Sequence, residues 1–283
     1  MEHGRPSKTA YRVAMRRAAH QILDHPVVLD DPIALPILGP GAEARIRSDL
    51  RLHQSGFGRS LRAFIVARSR CAEDALAAAV AAGVDQYVVL GAGFDTFAYR
   101  NPYPAESLRV FEVDFPSTQA WKRKRLADAG IEVPRSLTFV PIDFETQALP
   151  ERLETCGFRA DQPACFSWLG VSMYLTREVV MSMLTYVSRR PARSSITFDY
   201  MIPPSSLPFP RRIMFHLFAL RLAVLGEPWI TWLDPAALDR ELRAMGFTRL
   251  EDLDSDALGA RYFEGRAYRP GGRSVGHVMT ATR

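Results

Sequence analysis

Residues 87–100, YVVLGAGFDTFAYR, decide the fold. Their first four side chains are aromatic, β-branched or branched aliphatic, the composition of a strand buried on both faces. Gly91 and Gly93 then stop the strand, and an acid and a threonine follow at Asp95 and Thr96. Downstream, LRVFEVD predicts a second strand, PSTQAWKRKRLADAG a helix ended by Gly130, and LTFVPID a third strand. A helix near 145–156 precedes a fourth strand, ACFSWLG. TREVVMSMLTYVSRR is then a helix with Thr176 at its N-cap, and SSITFDY a fifth strand. Strands alternating with helices at this spacing predict an α/β fold, a mostly parallel sheet with helices on both faces.

Upstream of the quoted stretch the chain reads as helical over 9–23, 42–54 and 59–82, with Gly83 as the terminal glycine of the longest helix. After residue 200 a proline-rich entry leads into an apolar, helical segment, the expected lid. A helix at DPAALDRELRAMGF and strands at TRLEDLD and VGHVMTATR close the chain. The expected organisation is one domain: an N-terminal helical cover (1–84), a ligand-binding core (85–200), an inserted lid (201–233) and the end of the sheet (234–283).

Composition narrows the function. The chain has 283 residues, 47% of them hydrophobic and 24% charged, ordinary for a globular enzyme. No run approaches the ~18 uninterrupted apolar residues of a membrane span, and no secretory signal opens the chain, so a cytoplasmic protein is expected. Cys71, Cys156 and Cys165 are odd in number and lack a CxxC pair, against disulfides or a zinc knuckle. Residues 1–70 hold 12 basic against 6 acidic side chains. Their arginines recur between apolar residues, the pattern of a solvated helix face rather than a nucleic-acid surface. The histidines show no metal-ligand spacing.

In an open parallel sheet, ligands bind beyond the carboxyl ends of the strands. A Gly-x-Gly turn there lets backbone approach a ligand closely, although the pair alone also fits a tight turn that holds nothing. Two more features favour a ligand. The second strand carries Glu112 and Asp114 at its end, and the third carries Asp143 followed by Phe144. Carboxylates on adjacent strand tips suit an adenosine, one accepting from ribose hydroxyls and the other from the adenine amine, with Phe144 against the base. Thr96 stands where the dinucleotide fingerprint needs its third glycine, and no GK[ST] follows for a P-loop. An adenosine with a non-phosphate tail remains, and S-adenosyl-L-methionine is the expected cofactor.

The segments GAGFDTFAYR, FEVDFPSTQAWKRKRL, FVPIDFE and SWLGVSMYLTREVV, in this order, resemble the leucine carboxyl methyltransferase family, in particular its bacterial branch with polyketide O-methyltransferases. The resemblance runs over residues 5–200 and weakens beyond. It implies a Rossmann-like class I methyltransferase sheet and S-adenosyl-L-methionine as methyl donor. By motif, Gly91 matches the family's first loop glycine and Asp114 its ribose-binding acid; Asp143 and Phe144 match the adenine contacts. Arg68, in VARSR, matches an arginine that pairs with the methionine carboxylate. Leu169 departs from the pattern, standing where the family usually has a glutamate.

The resemblance implies an O-methyltransferase acting on a carboxylate or hydroxyl of a small hydrophobic or polyketide-like acceptor. A protein C-terminal carboxyl methyltransferase, a non-catalytic cofactor-binding module and an NAD-dependent oxidoreductase are the alternatives. Tyr174 and Tyr200, near the ends of the fourth and fifth strands, are expected to face the cleft and bond an acceptor oxygen. His216 in the lid is a weaker candidate for a base. Arg211, Arg212 and Arg221 could neutralise an acidic acceptor, although solvated arginines are the default. No metal site is expected.

Overall fold

A computed structural model of the chain describes residues 8–143, 146–206, 212, 229–266, 269–270 and 275–283. Seven strands form one sheet in the order β3-β2-β1-β4-β5-β7-β6. They are β1 (Gln86–Leu90), β2 (Arg109–Asp114), β3 (Leu137–Pro141), β4 (Cys165–Trp168), β5 (Ser195–Met201), β6 (Arg249–Leu253) and β7 (Gly276–Thr282). The first five are parallel, whereas β7 runs antiparallel to both β5 and β6. The chain builds outward from β1 through β2 to β3, then returns to lay β4 on its other side. That reversal between β1 and β4 is the switch point at which open α/β sheets form a ligand crevice.

Strand alternation distributes the core. Val88 and Leu90 of β1 join Phe111, Phe166 and Phe198 on one face. That face is covered by α6 (Leu149–Thr155), α7 (Arg177–Ser188) and α8 (Pro235–Ala244) through Leu153, Leu184 and Leu242. Tyr87 and Val89 point the other way, onto Leu76 and Ala79 of α4 (Gly56–Ala81). On this second face α1 (Lys8–Leu23) packs its Ala14 and Ala18 with Phe94 and with Leu126 of α5 (Pro116–Asp128).

The helix expected over 42–54 is broken at Asp49 into α2 (Ala42–Ser48) and α3 (Leu50–Gln54). α4 begins earlier than expected, because Ser55 Oγ accepts the Gly58 amide and caps it. Thr176 does occupy the N-cap of α7, without a side-chain cap bond. α9 (Ser255–Tyr262), capped by Asp254, has no counterpart in the sequence reading. Of the expected lid, residues 207–211 and 213–228, with Arg211, His216 and Arg221, lie outside the described residues. Arg212 donates to the carbonyl of Ser205. No helix among the described residues is long and apolar enough to cross a membrane.

Candidate active site

Two loops meet at the switch point. After β1, Gly91 and Gly93 take positive φ of 65° and 47°, left-handed backbone that side chains disfavour. A Cβ on Gly91 would lie 2.5 Å from Cγ2 of Val171, in the loop after β4, and one on Gly93 would lie 3.0 Å from Cβ of Ala10 in α1. Glycine is favoured at both positions by conformation, and at Gly91 by space as well. The bared backbone between them forms the floor on which a ligand would rest.

Asp114, at the tip of β2, holds this floor in place. Its Oδ2 accepts the Gly93 amide at 2.5 Å and its Oδ1 the Phe115 amide at 2.6 Å. Burial raises its carboxyl above the usual aspartate range, against the opposing pull of those two amides. Glu112, read from sequence as a companion acid at the strand tip, is not at the tip. It is fully buried two residues earlier and 2.6 Å from Nζ of Lys122, also buried. Burial pushes its carboxyl up to about 7, and Lys122 pulls the other way. Asp114 therefore stands alone at the end of β2.

Asp143 follows β3 by two residues. Asp114 and Pro141 are paired across the β2–β3 ladder, so both acids belong to one edge of the sheet. The Asp143 carbonyl accepts the Thr146 and Gln147 amides, and its own amide donates to the Gln147 side chain, fixing the turn. Phe144 lies outside the described residues.

Arg68 reaches the same edge from α4. It is 6% exposed, and its Nη1 donates to Oδ2 of Asp199 in β5 at 2.5 Å. The other oxygen of Asp199 accepts the Gly170 amide at 2.6 Å. A Cβ on Gly170 would lie 2.8 Å from Arg68 Nη2, so this glycine, with φ of 74°, leaves room for the guanidinium. Arg68 Nε is buried and makes no hydrogen bond to any described residue, which leaves a donor for a ligand. Asp199 was missed in the sequence. Its signal was available: SSITFDY ends a buried strand in an acid, as LRVFEVD does. The Leu169 slot lies beside Gly170, so the carboxylate nearest this turn comes from β5.

Tyr174 closes a short 3-10 turn (Ser172–Tyr174) after β4 and packs, with Trp229 and Trp232, against Met173, Met201 and Val275. The returning chain bonds across these tips, Ile230 to Met173 and Leu233 to Met201, and forms an apolar wall over β4 and β5. Tyr200 does not face the cleft as expected. It is 1% exposed on the sheet face opposite Arg68, and its hydroxyl donates to Asp252 of β6 at 2.7 Å. Successive residues of a strand point to opposite faces, so Asp199 and Tyr200 cannot serve the same cleft.

The family model for leucine carboxyl methyltransferase matches residues 10–188. The chain belongs to the leucine carboxyl methyltransferase family. It is 30% identical to YktD of Bacillus subtilis (strain 168), a protein named for S-adenosyl-L-methionine-dependent methyl transfer, over 94% of each chain. A similarly named Parafrankia relative is 35% identical over 57% of this chain and 49% of its own length. Among solved structures, a Thermobifida fusca YX protein named as a methyltransferase superposes with a TM-score of 0.57 at 16% identity, covering all of this chain and 96% of its own. A DUF574-family protein from Streptomyces avermitilis superposes with a TM-score of 0.51 at 15% identity, over 87% and 94%. These two neighbours share the fold. This leucine carboxyl methyltransferase family member is an S-adenosyl-L-methionine-dependent methyltransferase. Its glycine floor, strand-tip carboxylates and buried arginine with a spare donor fit that cofactor's nucleoside and its amino-acid tail.

Proposed function

We propose that the enzyme methylates an oxygen of a small hydrophobic acceptor, a carboxylate or a hydroxyl. The observation that carries this reading is the apolar wall of Met173, Tyr174, Met201, Trp229 and Trp232 over the tips of β4 and β5, beside the buried Arg68–Asp199 pair. Apolar walls with few polar groups suit apolar ligands.

The cofactor, when bound, supplies a methyl carbon already activated by its sulfonium. In this reading the residues bind and align. The Gly91–Gly93 floor lets backbone approach the nucleoside, Asp114 accepts from the ribose hydroxyls, and Asp143 accepts from the adenine amine. Phe144, outside the described residues, is assigned to the base by its place in the motif. Arg68 donates to the methionine carboxylate while Asp199 holds its other edge, the geometry in which a guanidinium serves two carboxylates. Tyr174 positions the acceptor oxygen, and the tryptophans keep water away. A carboxylate acceptor is ionised at neutral pH and needs no proton removed.

The test is incubation with S-adenosyl-L-methionine and a panel of aliphatic and aryl carboxylic acids, phenols, amines and leucine-ending peptides, with products read by mass spectrometry. Base-labile methyl esters or methyl ethers of the small apolar compounds support the reading. N-methyl products, or methylation of the peptides alone, overturn it.

A further inference from the structure

We infer that Arg17, Asp31 and Thr96 form a latch that sets the shape of the Gly91–Thr96 loop, so that α1 is a positioning element of the cofactor site. The inference rests on the reading that this loop holds the cofactor. The loop has two glycines in left-handed backbone and therefore little stiffness of its own, so its shape must be imposed from outside.

α1 imposes it at two points. At its start, Ala10 lies against Gly93. Two turns on, the buried Arg17 donates from Nη2 to the carbonyl of Phe94 at 2.5 Å, while its Nε sits 3.2 Å from Oδ2 of Asp31. Asp31 is fully buried, and the same Oδ2 accepts the hydroxyl of Thr96 at 2.7 Å. Arg100 Nε stands 3.5 Å from its other oxygen, with its fork on Glu73 of α4. Asp31 thus joins the cation that grips the middle of the loop to the hydroxyl at its end.

Thr96 is the residue that breaks the dinucleotide fingerprint, and the latch gives it a physical task. A glycine there would let helix and strand pack more closely, but would leave Asp31 without the hydroxyl. Around the same loop Tyr11 stacks on Trp121, with ring centroids 5.7 Å apart, and Phe94 meets Trp121 edge-on at 4.6 Å. Trp121 is therefore a built-in optical reporter of the loop.

The decisive comparison is Thr96→Val, which keeps the shape and removes the hydroxyl, against Thr96→Ser, which keeps the hydroxyl. Affinity for S-adenosyl-L-homocysteine is read by calorimetry, release rate by stopped-flow Trp121 fluorescence, and melting temperature without ligand. The Trp121→Phe background verifies the source of the signal. Thr96→Val is expected to weaken binding by about tenfold, mostly through faster release, and Thr96→Ser to bind as the unaltered protein does. Arg17→Lys, which keeps a cation near Asp31 but cannot span to Phe94, is expected to act like Thr96→Val and serves if that variant does not fold. A lowered melting temperature with affinity unchanged within about twofold, or equal losses in Thr96→Val and Thr96→Ser, overturns the latch. Asp114→Ala separates the two levels. If it too leaves affinity unchanged, the cofactor placement itself is wrong; if it abolishes binding while Thr96→Val does not weaken it, only the latch is wrong.

Discussion

The Gly93 amide donates to Oδ2 of Asp114 at 2.5 Å, so the carboxylate assigned to the cofactor's ribose also sets the backbone of the loop beneath it. One side chain thus connects the tip of β2 to the floor laid by β1. Loss of Asp114 should damage both parts of the site at once.

Asp114→Asn keeps the size but offers only one acceptor oxygen, and cofactor affinity should fall at least tenfold by calorimetry. The pH dependence follows from the burial-raised carboxyl. Under the proposed role of Asp114, binding needs the carboxylate, so affinity should be constant at pH values above its pKa and fall about tenfold for each unit below it. The fall should begin at a higher pH than for an ordinary aspartate. The Asn variant should lose this dependence.

Gly91→Ala should strain the backbone and press on Val171. A loss of about 1–3 kcal/mol is expected from denaturant unfolding, together with loss of cofactor binding. Val171→Ala in the same chain should return the steric part and leave the conformational part. A fully additive double variant would show that the two loops do not touch.

Arg68→Met would leave Asp199 buried with only the Gly170 amide, at a cost of about 3–5 kcal/mol. Asp199→Asn keeps an acceptor for Gly170 and weakens the hold on Arg68. Its expected signature is a raised KM for the cofactor with kcat little changed. A kcat loss with KM unchanged would place Arg68 away from the methionine tail.

The buried pair of Glu112 and Lys122 gives the next prediction. Removing either partner leaves the other buried without its counter-charge, whereas removing both leaves neither. Glu112→Leu and Lys122→Met should therefore each cost stability, and the double replacement less than either. A folded pKa above the unfolded one contributes stability that is fully present below about 4.5 and is lost as pH rises through about 7. Melting curves of the unaltered protein and the double variant should diverge in that sense across this window.

Tyr200→Phe removes a donor to Asp252 and should lower stability by about 0.5–1.5 kcal/mol without changing kcat. Tyr174→Phe should do the reverse, lowering kcat on the preferred acceptor with little effect on melting. The opposite pattern would return Tyr200 to the acceptor site.

The first five strands, their parallel order and the glycine loop were legible because each carries a local signal, an apolar run ended by glycine or acid. What escaped depended on partners far along the chain. Asp31 and Thr96 are 65 residues apart, and nothing in either segment announces the other. The direction of Tyr200 was within reach, since strand alternation opposes it to Asp199, but choosing between them required knowing that α4 brings Arg68 to one face. Glu112 was misread for a similar reason: its partner Lys122 sits on the next helix, and an acid near a strand end looks the same whether it meets solvent or a buried lysine. The short α9 carries only its Asp254 cap as a marker.

β7 lies between β5 and β6 although it is the last of the seven to be made. At a synthesis rate of about 5–20 residues per second, β5 waits roughly 4–15 seconds for the strand that flanks it. Until residues 276–282 emerge, β6 has no neighbour and the outer edge of β5, directly beside Asp199, is open. The growing chain can pair β1 to β5 well before it can close the sheet edge beside Asp199. A ribosome-bound chain stopped before β7 should thus show an unfinished sheet edge, the segment on which a chaperone would act.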